Sequence, residues 1–357
     1  MMSVDNIINS NHTMDEDDFL EYALSHGFGD LHFKVDPETG MKAIIAIHST
    51  KLGPALGGCR FIEYSNTNAA LYDAMRLARG MSFKAASVNL PLGGGKSVII
   101  KPKGSFNRIE YMHRFGKFVN ELNGRYITAL DSGTVLNDMD IIFEHTPYVA
   151  SLSMYNGDPS PSTAKGVLRG IQAAVAFKLG KDNLQGIHVA IQGLGHVGYL
   201  LARHLHELGA TLTVADISPA AVEQAVKEFG AKTVSTDAIH KVPCDVFAPC
   251  ALGAIINDIS ISQLQTTIIA GAANNQLAHT VHGKKLHEKG ILFAADYVIN
   301  AGGLIFAASK YLSTPEEKVN EQIDGIYTSL TEIFARSAKD NLPASEIADT
   351  IAKEKLA

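Results

Sequence analysis

The chain has 357 residues, of which 46% are hydrophobic and 19% charged, and this is typical of a folded protein with room for two domains. Its formal net charge of −6 argues against a surface for nucleic acid or an anionic membrane, so small molecules are the expected partners. The cysteines, Cys59, Cys244 and Cys250, lack the spacing of a zinc site or a disulfide framework, which fits a reducing cytoplasm.

The N-terminal 18 residues are polar and acidic, without the basic start and apolar run of a secretion signal. No later apolar run reaches the length needed to span a membrane. We therefore expect a cytoplasmic protein that is neither exported nor inserted. The 14 histidines show no ligand spacing, so no metal site is predicted.

The first part of the chain combines helical and strand patterns. A loop with three glycines, LGPALGGCR, is expected at 52–60, after a predicted hairpin. The predicted elements are a helix at 19–24, strands at 31–35 and 41–48, a helix at 67–79, a strand at 97–100, a helix at 107–122 and a strand at 125–129.

Residues 146–162 are rich in Pro, Ser and Gly and mark a domain boundary. Strands and helices alternate beyond it, which predicts a parallel, doubly wound sheet. The predicted fold class is thus α/β, with a first domain at 1–150, joined by 340–357, and a Rossmann-type domain at 151–339. Strands are predicted at 187–192, 211–216, 245–248, 267–270 and 291–294, and helices at 163–179, 197–208, 219–229 and 315–339.

Residues 80–100, GMSFKAASVNLPLGGGKSVII, hold Lys84 and Lys96 on either side of an apolar segment. The glycines at 93–95 let the backbone adopt positive φ and let a ligand approach the main chain closely. If both ammonium groups face one cleft, repulsion and burial lower the pKa of one of them, which makes it a usable base. The other stays charged and can hold a substrate carboxylate.

Two other interpretations of this stretch are a glycine turn between strands, with both lysines in water, and a phosphate loop ending in Gly95, Lys96 and Ser97. The phosphate loop also requires a glycine where Leu90 stands and a helix after Ser97. Residues 97–100 have a strand pattern instead, which argues against it.

The segment QGLGHVG at 192–198 places a GxGxxG motif, Gly193, Gly195 and Gly198, between a predicted strand and a predicted helix. This context favours a dinucleotide, because the glycines bring the helix N-terminus close to a pyrophosphate. Asp216 ends the next strand, where a carboxylate accepts hydrogen bonds from ribose hydroxyls and repels a 2′-phosphate. NAD is therefore predicted over NADP, although Asp216 could also be a simple strand-end cap.

Three further polar residues follow predicted strands. Asp131, in ALDSGT, could carry a proton beside the two lysines, and Asn274 and Asn275 follow the strand TTIIAGAA, where ligands bind in such sheets. Each of the three could equally be an ordinary turn residue.

Taken together, these motifs resemble the amino acid dehydrogenases that act on glutamate, leucine, phenylalanine and valine, and most closely the leucine and phenylalanine enzymes. The similarity runs over residues 31–330. It is carried by LGPALGGCR, GMSFKAA, GGGKSVII, NGRYITALDSGT, DPSPSTAKGV, QGLGHVG, CDVFAPCALGA, AGAANNQL and DYVINAGG.

The resemblance implies reversible oxidative deamination of an L-amino acid, with a hydride passed to NAD in a cleft between two domains. Lys84 aligns with the lysine that binds the substrate carboxylate, and Lys96 with the catalytic lysine that activates water. Asp131 aligns with the acid that exchanges protons with the amino group. A homo-oligomer, a dimer or larger, is also implied.

The resemblance assigns further residues to cofactor and substrate. Thr163 aligns with a contact to the nicotinamide amide, and Asn275 with a polar group where substrate and nicotinamide meet. The positions implied to contact the cofactor are Gly193, Leu194, Gly195, His196, Val197, Gly198, Asp216, Ile217, Thr163, Ala251, Asn274 and Asn275. The positions implied to line the side-chain pocket are Leu56, Ala129, Leu304 and Ala307.

Some positions depart from the leucine enzymes. Leu130 stands where an acidic residue is usual, and Leu304 and Ala307 replace common valines. A change of one methylene in a pocket alters the discrimination between substrates by only about 1–3 kcal/mol, so these departures do not decide between aliphatic and aromatic substrates. The resemblance as a whole favours branched-chain ones. The alternatives are an aromatic amino acid dehydrogenase and a non-catalytic NAD-binding sensor.

Overall fold

The computed structural model describes residues 19–155 and 157–357, so the acidic leader at 1–18 lies outside the described residues. The chain divides into two compact units. Unit 1 comprises Met1–Gly157, Ala307–Thr314 and Lys355–Ala357, and unit 2 comprises Asp158–Phe306 and Pro315–Glu354. The division from the sequence instead joined all of 340–357 to the first domain.

Unit 1 is built on a mixed sheet. In the described part of the chain its strand order is β1-β2-β4-β3-β5, with β1–β2 and β2–β4 antiparallel and β4–β3 and β3–β5 parallel. The elements are α1 (Phe19–His26), β1 (Asp30–Asp36), β2 (Met41–Ser49), β3 (Ala55–Ile62), α2 (Thr67–Ser87), β4 (Gly93–Ile100), α3 (Arg108–Glu121), β5 (Tyr126–Leu130) and α4 (Leu136–Phe143).

Both faces of this sheet carry apolar cores, as strand β2 illustrates. Ile45 and Ile47 belong to the core that contains α3 and α4 residues, whereas Ile44 and Ala46 belong to the core that contains α2 residues. Successive strand residues point to opposite faces, so a nearly continuous apolar run is what a sheet covered on both sides requires. The predicted hairpin of β1 and β2 is confirmed.

Two local predictions in unit 1 were wrong. LGPALGGCR is not a loop, because residues from Ala55 onward form β3. Helix α2 does not stop near residue 79 but continues to Ser87, since the burial of Phe83 and Ala86 outweighs the poor helix propensity of Gly80.

The glycine triplet is also not a turn. Gly93, Gly94 and Gly95 lie inside β4, and none of the three has a positive φ. Gly94 serves close packing instead, because a Cβ there would lie 2.0 Å from the backbone nitrogen of Ser82 in α2. The glycine turn and the phosphate loop are both inconsistent with this strand.

Unit 2 contains the predicted parallel sheet, with strand order β11-β10-β9-β6-β7-β8 in the described residues. The chain runs outward from β6 through β7 and β8, then returns to the other side of β6, which is the doubly wound arrangement. Its elements are α5 (Ser160–Leu179), β6 (His188–Gln192), α6 (His196–Glu207), β7 (Thr211–Ala215), α7 (Pro219–Phe229), β8 (Lys232–Thr233), β9 (Cys244–Pro249), α8 (Asp258–Gln263), β10 (Thr266–Ile269), α9 (Val281–Glu288), β11 (Leu292–Phe293), α10 (Asp296–Ile299) and α12 (Glu316–Asp340).

Two helices, α11 (Gly302–Leu312) and α13 (Ala344–Leu356), have residues in both units. The long helix predicted at 315–339 is α12, and its apolar stripe, which includes Ile323 and Leu330, is buried. Among the described residues, no helix combines the length and the apolar character that crossing a bilayer would require.

Candidate active site

Lys96 lies in the middle of β4 and is 4% exposed. It shares a face of the strand with Gly94 and with Val98, which belongs to the core on the α2 side of the sheet. Lys96 is therefore buried under α2 rather than solvated, and its ammonium group donates a hydrogen bond to Oδ2 of Asp131.

Burial lowers the pKa of Lys96 to about 7, because it penalises the charged form of the amine. The positive charge of Arg60 adds to this effect. A lysine whose pKa is near neutrality is partly a free amine at physiological pH. The low pKa of Lys96 agrees with the expectation for one of the two lysines, and Arg60 is a like charge that contributes to it.

Asp131 follows the last residue of β5, and the absence of a side chain at Gly58 leaves space for its carboxylate. A Cβ at Gly58 would lie 2.6 Å from Oδ2 and 2.7 Å from Cβ of Asp131. The backbone N–H of Asp131 donates to the Thr134 hydroxyl (3.0 Å), and that hydroxyl donates to the carbonyl of Cys59 (3.0 Å). The turn after β5 thereby fixes where the carboxylate points.

Arg60, on β3, is a residue that sequence reasoning missed. Its Nε lies 3.4 Å from Oδ1 of Asp131, and its NH1 donates to Oδ2 of Asp73 at 2.7 Å. Asp73 is only 1% exposed and is also bonded by Tyr64 (2.8 Å) and Arg76 (3.1 Å). Burial works to raise the pKa of Asp73, but Arg60, Tyr64 and Arg76 together hold it below its ordinary value.

Lys84 lies in the last turn of α2, two residues after Ser82, where the helix approaches Gly94. Leu56 and Ala129, two of the positions predicted to line the side-chain pocket, are both buried. Pairing of Leu56 with Gly94 and of Ala129 with Gly58 puts them on the same face of the sheet as Lys96. Leu130 points to the other side of its strand and is 42% exposed.

The glycine loop of unit 2 joins β6 to α6, whose N-cap is Gly195. Gly193 has φ +98°, a left-handed conformation that favours glycine, and a Cβ at Gly198 would lie 2.1 Å from the Gly193 carbonyl oxygen. A Cβ at Gly195, by contrast, would meet nothing within 4 Å. The loop therefore fits a pyrophosphate held at an open helix N-terminus.

Asp216 follows β7, and its carboxylate forms a hydrogen bond with the glycine loop. Its Oδ2 accepts from the N–H of Leu194 (2.5 Å), and its Oδ1 accepts from the N–H of Ser218 (2.7 Å). An ionised carboxylate has about four acceptor sites, so capacity remains for ribose hydroxyls. The neighbouring Ile217 is 92% exposed.

The other predicted cofactor positions of unit 2 lie largely in loops that follow strands. Ala251 follows β9, and Asn274 and Asn275 follow β10, so they lie at the same edge of the parallel sheet as the glycine loop. Asn275 has φ +50°, so it is also a turn residue. Thr163 lies on α5, where its hydroxyl donates to the carbonyl of Pro159 (3.0 Å).

The remaining positions fall on two helices. His196 and Val197 begin α6, and His196 is exposed. Leu304 and Ala307 lie three residues apart on α11, a spacing that puts their side chains on one face of the helix.

Family models match both parts of the chain. Residues 29–148 match the model described as "Glu/Leu/Phe/Val dehydrogenase, dimerisation domain", and residues 219–357 match "Glutamate/Leucine/Phenylalanine/Valine dehydrogenase". The chain belongs to this family. The predicted class of enzyme, an amino acid dehydrogenase that uses a nicotinamide cofactor, is thereby confirmed.

Relatives within the Glu/Leu/Phe/Val dehydrogenase family carry several names. A leucine dehydrogenase of Bacillus subtilis is 48% identical over 95% of this chain and 94% of its own length. An L-tryptophan dehydrogenase of Nostoc punctiforme is 45% identical over 88% of this chain and 90% of its own. A phenylalanine dehydrogenase of Thermoactinomyces intermedius is 40% identical over 95% of this chain and 94% of its own length.

Solved structures support the same fold. The crystal structure of L-tryptophan dehydrogenase from Nostoc punctiforme has a TM-score of 0.88 and 42% identity, covering 94% of this chain and 98% of that one. A hetero-hexameric glutamate dehydrogenase from Thermus thermophilus has a TM-score of 0.72 at 21% identity, covering 94% of this chain and 93% of that one. This likeness concerns the fold alone.

Proposed function

We propose that this enzyme catalyses the NAD-dependent, reversible oxidative deamination of a branched-chain L-amino acid to the 2-oxo acid and ammonia. L-Leucine is the expected substrate, with valine and isoleucine as further ones. The observation that carries the proposal is the buried Lys96, whose pKa is about 7, in contact with the Asp131 carboxylate.

Lys96 is the proposed base of the reaction. Loss of a hydride from the α-carbon leaves an imine, which water must attack before ammonia can depart. A neutral amine at Lys96 takes a proton from that water, and its low pKa makes this form available near neutral pH. An ordinary exposed lysine would be protonated almost completely at the same pH.

Asp131 and Lys84 have complementary proposed roles. Asp131 exchanges protons with the substrate amino group and already contacts Lys96 in this structure. Lys84 binds the substrate carboxylate as an ammonium ion. Both assignments follow the alignment with the family. The role of Lys84 is also supported by its position at the point where α2 approaches β4.

The glycine loop and Asp216 are the proposed NAD site. When bound, NAD accepts the hydride that leaves the substrate's α-carbon. Asp216 holds the adenosine ribose and repels a 2′-phosphate, and the exposed Ile217 offers an apolar surface beside it. Thr163 and Asn275 are proposed to contact the nicotinamide, and Ala251 and Asn274 to line the same edge.

Two observations bear on the substrate side chain. The leucine dehydrogenase relatives favour an aliphatic substrate, as do Leu56 and Ala129, which match the residues typical of leucine enzymes. An aromatic amino acid is the second candidate. It is favoured by the tryptophan and phenylalanine dehydrogenase relatives and by Leu304 and Ala307, which in this chain replace the valines common in leucine enzymes. We further propose that the enzyme is a homo-oligomer, since the first family match is a dimerisation domain. We also propose that it is cytoplasmic, as the sequence predicted.

A substrate panel tests the proposal. Purified enzyme is assayed for NADH and NADPH formation with L-leucine, L-valine, L-isoleucine, L-phenylalanine and L-tryptophan, and with D-leucine as the stereochemical control. We expect the highest kcat/KM with a branched-chain L-amino acid and NAD. A higher kcat/KM with an aromatic substrate establishes the second candidate, and no reduction with any L-amino acid rejects both.

A further inference from the structure

Two histidines and a glutamate meet at the outer surface of unit 1, outside the residues proposed for catalysis. His113 lies on α3, Glu144 caps the C-terminus of α4, and His145 follows it. No ligand set was predicted from the sequence, because His113 and His145 are 32 residues apart in the chain.

The potential ligand atoms of these three side chains lie close together. Nδ1 of His113 is 2.8 Å from Nε2 of His145 and 3.7 Å from Oε2 of Glu144, and all three atoms lie within 4.8 Å of one another. A tetrahedral ion with bonds of about 2.0–2.1 Å holds its ligand atoms about 3.4 Å apart. Small side-chain rotations therefore suffice to direct all three atoms at one ion.

The backbone beneath the cluster is tightly packed. Gly116, one turn after His113 on α3, is buried, and a Cβ there would lie 2.8 Å from the carbonyl oxygen of Ile142 and 3.1 Å from Cβ of His145. The two helices thus touch at this point, which keeps the imidazole of His145 against α3. The cluster is formed by the packing of the helices rather than by flexible surface side chains alone.

We propose that His113, Glu144 and His145 bind a divalent transition-metal ion of the Zn²⁺ class. Two imidazoles and one carboxylate suit zinc and its neighbours, whereas Mg²⁺ and Ca²⁺ prefer oxygen ligands only. The half-exposed position leaves room for water as a fourth ligand. Because the ligands come from both helices, the ion links α3 to α4, and this role is independent of the proposed dehydrogenase reaction.

Metal binding is measured on the full chain after EDTA treatment and buffer exchange. Zn²⁺ is titrated in competition with a chromophoric chelator of micromolar affinity, and Co²⁺ serves as a spectroscopic probe. We expect one ion bound per chain in this range and Co²⁺ absorption bands typical of nitrogen and oxygen ligands. Affinity falls at least tenfold in His113→Gln and in His145→Gln, and less in Glu144→Gln.

A matched control is available on α6. Nδ1 of His204 lies 3.6 Å from Oε2 of Glu207, nearly the same separation as between His113 and Glu144, and in the described part of the chain this pair does not belong to a group of three potential ligands. His204→Gln should leave the titration unchanged. Melting curves recorded without metal check that each variant is folded, and added Zn²⁺ should raise the Tm of the wild type but not that of His113→Gln or His145→Gln.

The possible outcomes separate a metal site from a simple hydrogen bond between two imidazoles. If the wild type and both histidine variants bind Zn²⁺ with equal affinity, or if the wild type fails to compete with the chelator, the proposal is wrong. Should His145→Gln fail to fold, the comparison of His113→Gln with the wild type decides by the same criteria.

Discussion

Arg60 and Lys96 contact the two oxygens of one carboxylate: Arg60 lies at Oδ1 of Asp131, and Lys96 donates to Oδ2. The second contact of Arg60, with the buried Asp73, holds its guanidinium in place. One arginine therefore orients the proposed proton carrier and also adds the positive charge that lowers the pKa of the neighbouring lysine.

Replacing Arg60 should separate these two effects. In Arg60→Gln the nearby positive charge is lost, so the pKa of Lys96 rises and the acid limb of the pH profile of kcat/KM moves to higher pH. We expect kcat/KM at pH 7 to fall about ten- to hundredfold, because Asp131 also loses an orienting contact. In Arg60→Lys the charge remains, so the acid limb should stay near its wild-type position. The value of kcat should still fall, because an ammonium group cannot reproduce the contacts of the guanidinium with Asp131 and Asp73.

Arg76→Gln is the control for the Arg60 variants. Arg76 bonds the same Asp73 and also lowers the pKa of Lys96, but its contribution ranks below that of Arg60. Its replacement should shift the acid limb in the same direction by a smaller amount and leave kcat within a few-fold of the wild type. An unchanged pH profile in Arg60→Gln would rule out this electrostatic role.

Gly58→Ala should displace the Asp131 carboxylate, because the new methyl group would occupy its place. Overpacking of this kind lowers the free energy of unfolding by about 1–3 kcal/mol, and a misplaced catalytic group costs roughly a hundredfold in kcat. Gly325→Ala, in α12, adds a methyl group that meets nothing within 4 Å and should leave kcat unchanged. Wild-type kcat in Gly58→Ala would argue against the proposed role of Asp131.

The double variant Leu304→Val with Ala307→Val tests the pocket. It restores the residues common in leucine enzymes and should raise the ratio of kcat/KM for L-leucine to that for L-phenylalanine. Because side-chain fit in such pockets is worth about 1–3 kcal/mol, the change should be about 10- to 200-fold at most. An unchanged ratio would remove these two positions from the substrate pocket.

Asp216→Ser should weaken the preference for NAD. The substitution removes the charge that repels a 2′-phosphate, so the ratio of kcat/KM for NADP to that for NAD should rise by roughly tenfold. Activity with NAD should also fall, because Leu194 loses its hydrogen-bond acceptor. Asp237→Ser makes the same charge change at an exposed position and should alter neither value.

The sequence predicted what short-range patterns determine. Alternating strands and helices, together with the GxGxxG motif, were enough to predict the parallel sheet, and the helix predicted at 219–229 is α7. Two of the departures occurred around Gly58 and Gly94, where glycine normally signals a turn. There the missing side chains admit Asp131 and α2, and such contacts arise only in the folded chain.

The site was predicted as separate residues rather than as a network. Asp131 and Asp216 could be singled out because each follows a recognisable strand, and Lys96 because it follows the glycine triplet. Arg60 could not, because its strand was interpreted as a loop and its partner Asp73 lies on the next helix. Recognising β3 would have put Arg60 on the same face as Gly58 by strand alternation, but only the register, in which Arg60 pairs with Val98, puts it on the same face as Lys96.

The most direct test of the central claim is the pH dependence of kcat/KM for L-amino acid oxidation in the wild type and in Lys96→Ala, with NAD binding measured in parallel. The proposed base, Lys96, acts as a neutral amine, so wild-type kcat/KM should be low in acid and rise with an apparent pKa near 7. Lys96→Ala should bind NAD normally but show no turnover at any pH. A flat wild-type profile between about pH 6 and 9, or substantial turnover in Lys96→Ala, would contradict the account.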